Sequence, residues 1–138
     1  MTEEIKFKDV KNTSKSLISE QPENSNKKQV NFQEWSKLDL RVAKILNVED
    51  IGGADKLYKL KIDLGKDLGK RTIVAGIKQY YKKEELKDKL IIVFVNLEPR
   101  VMKGIKSEGM LLAAVSEDKS KITLIIPEKD IEVGSKVS

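Results

Sequence analysis

Six short apolar runs, set apart by charged or turn-forming residues, constrain the fold more than any other feature of this sequence. The runs are Leu40–Val48, Tyr58–Leu64, Arg71–Ala75, Leu90–Asn96, Met110–Val115 and Ile122–Ile126. In the second run apolar residues occupy every other position, and Lys59 and Lys61 stand between them. A period of two residues is typical of a β-strand with one buried face and one wet face. The sequence therefore predicts an all-β domain whose second strand exposes lysines.

The order of the elements narrows the architecture. Residues Ile77–Asp88, between the third and fourth runs, suit a short helix. Five strands with a helix between strands 3 and 4 are the order of a five-stranded OB-fold barrel, and the sixth run adds a C-terminal extra-strand extension. An SH3-like barrel or a small sandwich fits the strands, but neither explains a helix at that position. We therefore predict the OB-fold barrel.

Composition changes near residue 30. Residues 1–29 are polar and carry charges of both signs, which predicts a flexible N-terminal extension. Asn31 and Glu34 have the spacing of a capping box, so order is expected to begin there, with Phe32 and Trp35 in the core or at an interface. The domain is therefore predicted to span residues 30–138.

Two residue types are missing from the 138 residues, histidine and cysteine. Their absence excludes Ser-His-Asp and Cys-His nucleophilic catalysis and zinc sites built on thiolate or imidazole. We therefore expect a protein that is not an enzyme and that uses no metal or cofactor. The apolar runs are too short to span a membrane, and the charged N-terminus lacks the apolar segment of a signal peptide, so a cytoplasmic protein is expected.

Positive charge is concentrated in the middle of the chain. Residues 51–106 hold 14 Lys and Arg against 7 Asp and Glu, an excess of +7, whereas the whole chain has a net charge of +5 and the remainder therefore −2. Such a distribution favours a surface that binds a polyanion, with a solvated lysine-rich surface as the alternative.

The basic residues fall on positions that line the ligand-binding side of an OB-fold. They are Lys56 at the end of the loop after strand 1, Lys59 and Lys61 on the wet face of strand 2, and Arg100, Lys103 and Lys106 in the loop between strands 4 and 5. Aromatic residues make up only 5% of the chain, which argues against a general binder of single strands, because such proteins stack bases on aromatic rings. Folded RNA, recognised by shape and phosphates, fits better.

Four blocks of sequence resemble, in the same order, the tRNA-binding OB domain. The blocks are Leu38–Ile45, Ala54–Tyr58, Arg71–Ile77 and Asn96–Ala114. This domain is found at the C-terminus of many methionyl-tRNA synthetases, as a free-standing structure-specific tRNA-binding protein, and in synthetase-associated cytokine-like factors. The resemblance covers about residues 30–138.

The resemblance implies binding to the outside of the L-shaped tRNA by a homodimer, with Ile122–Val137 contributing to assembly. It places functional weight on Asn96, Lys103, Lys106, Ser107, Glu108 and Met110 as tRNA-binding residues. Asn96 and Ser107 are expected to add hydrogen bonds to ribose or phosphate. By its pattern alone, Met110 fits a core position equally well. Two positions depart from the family, since Gly52-Gly53 replace a common His-Pro and Glu98 stands where many members have lysine.

The expected function is that of a non-catalytic tRNA-binding protein. It would be a detached tRNA-binding (beta) subunit of methionyl-tRNA synthetase, with the synthetase as a partner, or a free-standing accessory protein. The alternative is a protein-binding export chaperone on the same OB-fold.

Overall fold

The computed structural model describes residues 28–138, so nearly all of the predicted N-terminal extension lies outside the described residues. The chain divides into two units between Trp35 and Ser36, and each is described by itself. In the first, Asn31 Oδ1 accepts a hydrogen bond from Glu34 N at 2.8 Å and Glu34 Oε1 accepts one from Asn31 N at 3.2 Å, which confirms the capping box at the start of α1 (Phe32–Ser36). Phe32 and Trp35 are both exposed, so a core position for them is wrong, and the interface stays a prediction.

The described part of the second unit is almost entirely β-structure. Its elements are β1 (Leu40–Ile51), β2 (Ala54–Asp63), β3 (Lys70–Ala75), α2 (Lys83–Leu86), β4 (Leu90–Phe94), β5 (Arg100–Met102), β6 (Ile105–Ser107), β7 (Met110–Leu111), β8 (Ala113–Val115), β9 (Ile122–Leu124) and β10 (Lys136–Val137). The all-β class and the helix between the third and fourth strands are confirmed. That helix is shorter than predicted, because the chain first makes a turn in which Tyr80 N and Tyr81 N both donate to Ile77 O.

The main sheet is antiparallel and follows the path β3-β2-β1-β4-β7. β1 is long enough to serve two partners, pairing with β4 from Leu40 to Lys44 and with β2 from Lys44 to Ile51. Among the described residues no strand ladder joins β3 to β7, so the ladders do not close into a barrel. Instead, Glu108 N donates to Thr72 O at 2.9 Å across the gap. The strand pairing therefore does not confirm the five-stranded barrel, which stays a prediction.

The core lies against one face of this sheet. The predicted alternation in β2 is confirmed, since Leu60 and Ile62 are fully buried between the wetter Lys59 and Lys61. Ile45, Ile73, Ile91 and Val93 from the other strands are also fully buried in the same cluster. Burying one such side chain stabilises the fold by about 1.5–3 kcal/mol, so this cluster is the main source of stability.

Two strand boundaries correct the sequence-based picture. β1 and β2 pair as far as Ile51 and Ala54, so only Gly52-Gly53 connect them, and Lys56 lies within β2 and not at the end of a loop. The predicted strand Met110–Val115 is interrupted at Leu112, whose N–H donates to Ile92 O while its carbonyl accepts from Ile125 N. Consequently β7 stays with β4, and β8 leaves it to pair with β9.

The C-terminal segment occupies an edge of β1 that β2 does not reach. β10 pairs with Leu40 and Arg41, and Gly134 N donates to Val42 O at 2.7 Å. Arg41 fixes this crossing, because its Nη1 donates to Gly134 O at 3.1 Å and its Nε to Asp39 Oδ1 at 2.7 Å. The hydrogen bond from Arg41 to the Asp39 carboxylate raises the pKa of Arg41. None of the helices in residues 28–138 has the length and apolar character needed to cross a membrane.

Candidate nucleic-acid interface

Three of the predicted cations lie on one ordered hairpin made by β5 and β6. Arg100 pairs with Ser107 and Val101 with Lys106, and Lys103-Gly104 form the two-residue turn. Both turn residues have positive φ, +51° and +78°, as a type I′ hairpin turn requires. Glycine adopts this conformation freely, whereas for Lys103 a positive φ is energetically unfavourable. The turn nevertheless places Lys103 at the tip of the hairpin. The segment predicted as a loop between strands 4 and 5 is therefore an ordered hairpin that carries positive charge.

The hairpin has an inner and an outer face. On the inner face Met102 and Ile105 pack against a small cluster formed by Ile51, Ala54 and Val74. On the outer face Val101 is 70% exposed and is paired across the ladder with the exposed Lys106. This apolar contact holds the hairpin against the sheet, so the cations keep a fixed position.

Ser107 secures the base of the hairpin. Its side chain is buried, its Oγ accepts a hydrogen bond from Val74 N at 2.9 Å, and it donates to Gly109 O at 3.2 Å. Because a hydroxyl has a single proton, its donor capacity is fully used inside the protein. Ser107 thus positions the hairpin.

Asn96 has a similar internal role at the end of β4. Its Oδ1 accepts from Asp39 N at 2.8 Å, and its Nδ2 donates to Lys37 O at 2.7 Å. The Asn96 amide thereby connects the segment before β1 to the segment between β4 and the hairpin.

The lysines of β2 share a sheet face with the hairpin. Lys59 lies directly opposite Val74 of β3, and Val74 packs under Met102 and Ile105. Lys61 is exposed and two residues along the same face, and Lys56 lies between Ala54 and Leu57, which both belong to the hairpin's apolar cluster. Lys59 Nζ is 3.8 Å from Glu49 Oε1, a half-exposed pair that contributes little stability and leaves the lysine available. Lys59 and Lys61 thus share the sheet face on which the hairpin with Arg100, Lys103 and Lys106 packs. A position of the Lys56 side chain on the same face stays a prediction.

Glu108 and Met110 follow the hairpin. Glu108 contributes mainly its backbone, since its N–H donates to Thr72 O and its carbonyl accepts from Arg71 Nη1 at 3.3 Å. Arg71, which sequence reasoning overlooked, also donates to Val95 O at 2.8 Å and so links β3 to the end of β4. The Met110 side chain is 44% exposed, so a core position for it is wrong.

A groove of about 250 Å³ opens beside the hairpin, between β5–β6 and β7. Its apolar walls come from Leu57, Leu97, Met102 and Met110, and Glu98 and Arg100 also line it. Sequence reasoning missed the groove because its walls come from β2, β5, β7 and the segment after β4, which only the fold brings together. Its one local signal was a methionine on a short strand next to a cationic loop.

Two other lysines, Lys78 and Lys83, pair with Asp50 near the end of β1. Asp50 accepts from Lys83 Nζ at 2.7 Å and forms an ion pair with Lys78 Nζ at 3.0 Å. The hydrogen bond from Lys83, with that from Lys78, lowers the pKa of Asp50, and the Asp50 partner raises the pKa of Lys83. Within residues 28–138 no group of three acidic side chains lies close enough together to hold a metal ion.

An antiparallel sheet with a docked, cation-bearing hairpin on one face defines a small β-domain built to present positive charge. Residues 40–136 match the family described as "Putative tRNA binding domain", and the chain therefore belongs to this family. The resemblance carried by the four sequence blocks is confirmed.

The chain is similar in sequence to part of several methionine–tRNA ligases. It is 46% identical over 131 residues to the methionine–tRNA ligase of Pyrococcus horikoshii, covering 95% of this chain and 17% of that protein. It is 49% identical over 109 residues to the corresponding ligase of Caldanaerobacter subterraneus subsp. tengcongensis, covering 79% of this chain and 16% of that one. The chain thus spans about one sixth of the length of these curated relatives.

Solved structures of similar size share the fold. A MetRS-related protein from Pyrococcus horikoshii is 36% identical with a TM-score of 0.75, over 81% of this chain and all of that one. The chaperone CsaA from Bacillus anthracis is 31% identical with a TM-score of 0.73, over 80% of this chain and all of that one.

Proposed function

We propose that this chain is a non-catalytic OB-fold module that binds folded tRNA through its phosphate backbone. The observation that carries the proposal is the β5–β6 hairpin, whose Arg100, Lys103 and Lys106 are fixed on the sheet face that also bears Lys59. Membership of the tRNA-binding domain family supports the choice of ligand. For the OB-fold itself, the support is a first strand shared by two partners, a helix between β3 and β4, and the hydrogen bonds that join Arg71 and Thr72 of β3 to Val95, after β4, and to Glu108, before β7.

The mechanism is electrostatic capture on a preformed surface. Lysine ammonium groups act as point charges, so they suit phosphates whose positions vary between tRNA sequences. Because Met102 and Ile105 already hold the hairpin in place, little conformational freedom is lost on binding. In this mechanism Asn96 and Ser107 position the surface, and the cations contact the RNA.

A salt titration tests the proposal. Filter binding to tRNA at several salt concentrations should give a steep loss of affinity, with a slope of roughly −0.7 to −0.9 for each phosphate neutralised. Unstructured RNA of the same length is the control and should bind more weakly. A flat salt response, or equal affinity for the two RNAs, would contradict tRNA binding by this surface.

We further propose that the chain works with methionyl-tRNA synthetase, as a separate subunit that raises its affinity for tRNA. The support is the similarity to a segment of methionine–tRNA ligases. A tagged chain used as bait in native cytoplasm should recover the synthetase. Recovery of tRNA without the synthetase would instead indicate an independent tRNA-binding protein.

The C-terminal region is the proposed homodimer contact. Val115, Ile125, Ile126 and Ile131 are each 43–54% exposed, an apolar set on and after β8 and β9. Exposed apolar groups of this kind are typical of protein interfaces. Ile126→Asp should give a folded monomer by light scattering and circular dichroism, whereas an unchanged mass would move the interface elsewhere.

A second candidate function is that of a protein-binding chaperone. It is favoured by the similarity to the chaperone CsaA and by the four apolar side chains that line the groove beside the hairpin together with Glu98 and Arg100. A chaperone of this kind would bind apolar peptides, and its affinity would depend little on salt. A tRNA-binding module would instead bind tRNA, with an affinity that falls steeply as salt rises.

A further inference from the structure

The groove beside the hairpin has a chemical character that phosphate binding does not use. Leu57, Leu97, Met102 and Met110 make it apolar, although Arg100 also lines it and the exposed Lys103 and Lys106 lie on the same hairpin as Arg100. Its volume of about 250 Å³ is smaller than that of a drug-sized site, which is about 300–1,000 Å³, and suits a single ring system. An apolar slot bordered by positive charge is complementary to a ligand with a flat apolar part joined to phosphates.

Glu98 is the second unusual feature of this groove. It lines the groove with Arg100, yet within residues 28–138 neither side chain forms an ion pair or hydrogen bond with another residue. A carboxylate repels phosphate, so its presence on a tRNA-binding face needs a different partner. An ionised carboxylate only accepts hydrogen bonds, and the exocyclic amine of a nucleobase donates them.

We propose that this groove holds one unstacked nucleobase of the bound RNA, and that Glu98 accepts a hydrogen bond from its exocyclic amine. Cytosine, adenine and guanine carry such an amine, whereas uracil does not. Arg100 faces the phosphate or ring edge of the same nucleotide. This inference rests on the proposed function, because it names the part of the RNA that enters this site.

The two methionines supply the contact that aromatic rings provide elsewhere. A thioether packs favourably against a ring face or edge, a contact that contributes about 0.3–1.5 kcal/mol. Met102 on β5 and Met110 on β7 both line the groove, so a flat base bound in it would lie next to both thioethers. This explains how a face poor in aromatic residues can still receive a base.

The groove is preformed, because its inner end is closely packed backbone. A Cβ at Gly109 would lie 3.1 Å from Val93 Cγ1 and 3.2 Å from Phe94 O, and the φ of this residue is +152°, so both the space and the backbone favour glycine here. The Ser107 hydroxyl holds the carbonyl of the same glycine at 3.2 Å. A base would therefore enter without reorganising the protein.

Methyl NMR of the intact chain labelled at the methionine methyl groups tests this directly. Met102→Leu and Met110→Leu assign the two signals, and filter binding on the same samples reports tRNA affinity. With tRNA, both signals should move upfield through the ring current of the base. With free nucleotides, CMP should move them at lower concentration than UMP, whereas ribose 5-phosphate should leave them in place.

The Glu98 contact has its own variant. Glu98→Gln, whose amide can donate as well as accept, should reduce the preference for CMP over UMP by about three- to tenfold, because a neutral amide oxygen accepts a weaker hydrogen bond than a carboxylate. Glu117→Gln, the same charge change in the turn between β8 and β9, should preserve that preference.

The possible results separate the two proposals. If tRNA binds but the Met102 and Met110 signals do not move, the nucleobase site is wrong and the proposed function stands. If tRNA does not bind at all, the proposed function fails. If an apolar peptide moves the signals and nucleotides do not, or if CMP and UMP act equally, the nucleobase assignment is overturned.

Discussion

In both the sheet core and the β5–β6 hairpin, successive side chains point alternately inward and outward, but the inward residues are buried to different extents. In β2 the inward residues, such as Leu60, meet the core and are fully buried. In the hairpin the inward residues Met102 and Ile105 meet only a small cluster, and the outward Val101 is 70% exposed. The core therefore provides most of the stability, and the hairpin needs only enough packing to hold its cations in place.

The largest expected effect separates the two regions by stability. Leu60→Ala leaves a cavity in the closed core and should lower the free energy of unfolding by about 3 kcal/mol. Val101→Ala, on the outer face of the hairpin, should change it by less than about 0.5 kcal/mol. Urea unfolding followed by circular dichroism measures both, and similar losses would show that the hairpin is part of the main core.

Reversing charge on the hairpin should act on binding instead. Lys103→Glu combined with Lys106→Glu removes two phosphate contacts and adds repulsion, so tRNA affinity should fall by about 100-fold or more at moderate salt. Circular dichroism should show an unchanged fold, because both side chains are exposed. The matched control is Lys119→Glu with Lys121→Glu, the same charge change in the turn between β8 and β9.

Binding by both double variants at equal affinity would show that net charge, and not the hairpin, governs the interaction. Unchanged affinity in the hairpin variant alone would move the site to another face.

Much of the fold could be predicted because strand periodicity is a local signal. The alternation in β2 and the capping box of Asn31 and Glu34 are set by neighbours in sequence, and both are confirmed. The extent of strand pairing is not local, so Lys56 was placed in a loop although the Gly52-Gly53 turn is only two residues long. The hairpin was missed for a related reason, because its Lys103-Gly104 turn lacks the usual Asn or Asp.

The site was predictable only as a set of charges. The partners of the polar residues lie far away in sequence, since Asn96 binds the backbone of Asp39 and Ser107 that of Val74. Their internal roles therefore could not be predicted from motif positions. The walls of the groove that Glu98 and Met110 line come from β2, β5, β7 and the segment after β4, so the groove appears only in the folded chain.

A substitution at Ser107 connects the two regions. Ser107→Ala leaves the N–H of Val74 without its acceptor and should lower the free energy of unfolding by about 1–3 kcal/mol. If Ser107 only positions the hairpin, tRNA affinity should fall a few-fold while the salt slope of binding stays the same. Ser120→Ala, at an exposed turn, is the control for loss of a hydroxyl. A large loss of affinity with unchanged stability would instead make Ser107 a direct RNA contact.

The smallest expected effect concerns Asp50, which binds Lys78 and Lys83 near the end of β1. Its hydrogen bonds lower its pKa, so its contribution to stability is full above the ordinary aspartate pKa of about 4 and is lost as the pH falls through the lower folded-state value. Asp50→Asn should therefore reduce the urea midpoint slightly at pH 7, and the difference from the native chain should narrow towards pH 3.

The effect should be small and should weaken in salt, because the pair is half exposed and solvent screens it. Asp130→Asn, another exposed carboxylate, should leave the midpoint unchanged at both pH values. Asp50→Asn releases Lys78 and Lys83 from their shared acid, so tRNA affinity gives a second result. If affinity stays constant, the cations that capture tRNA are those of the hairpin face; if it rises several-fold, the released lysines belong to the binding surface, and the division between the two regions must be redrawn to include the end of β1.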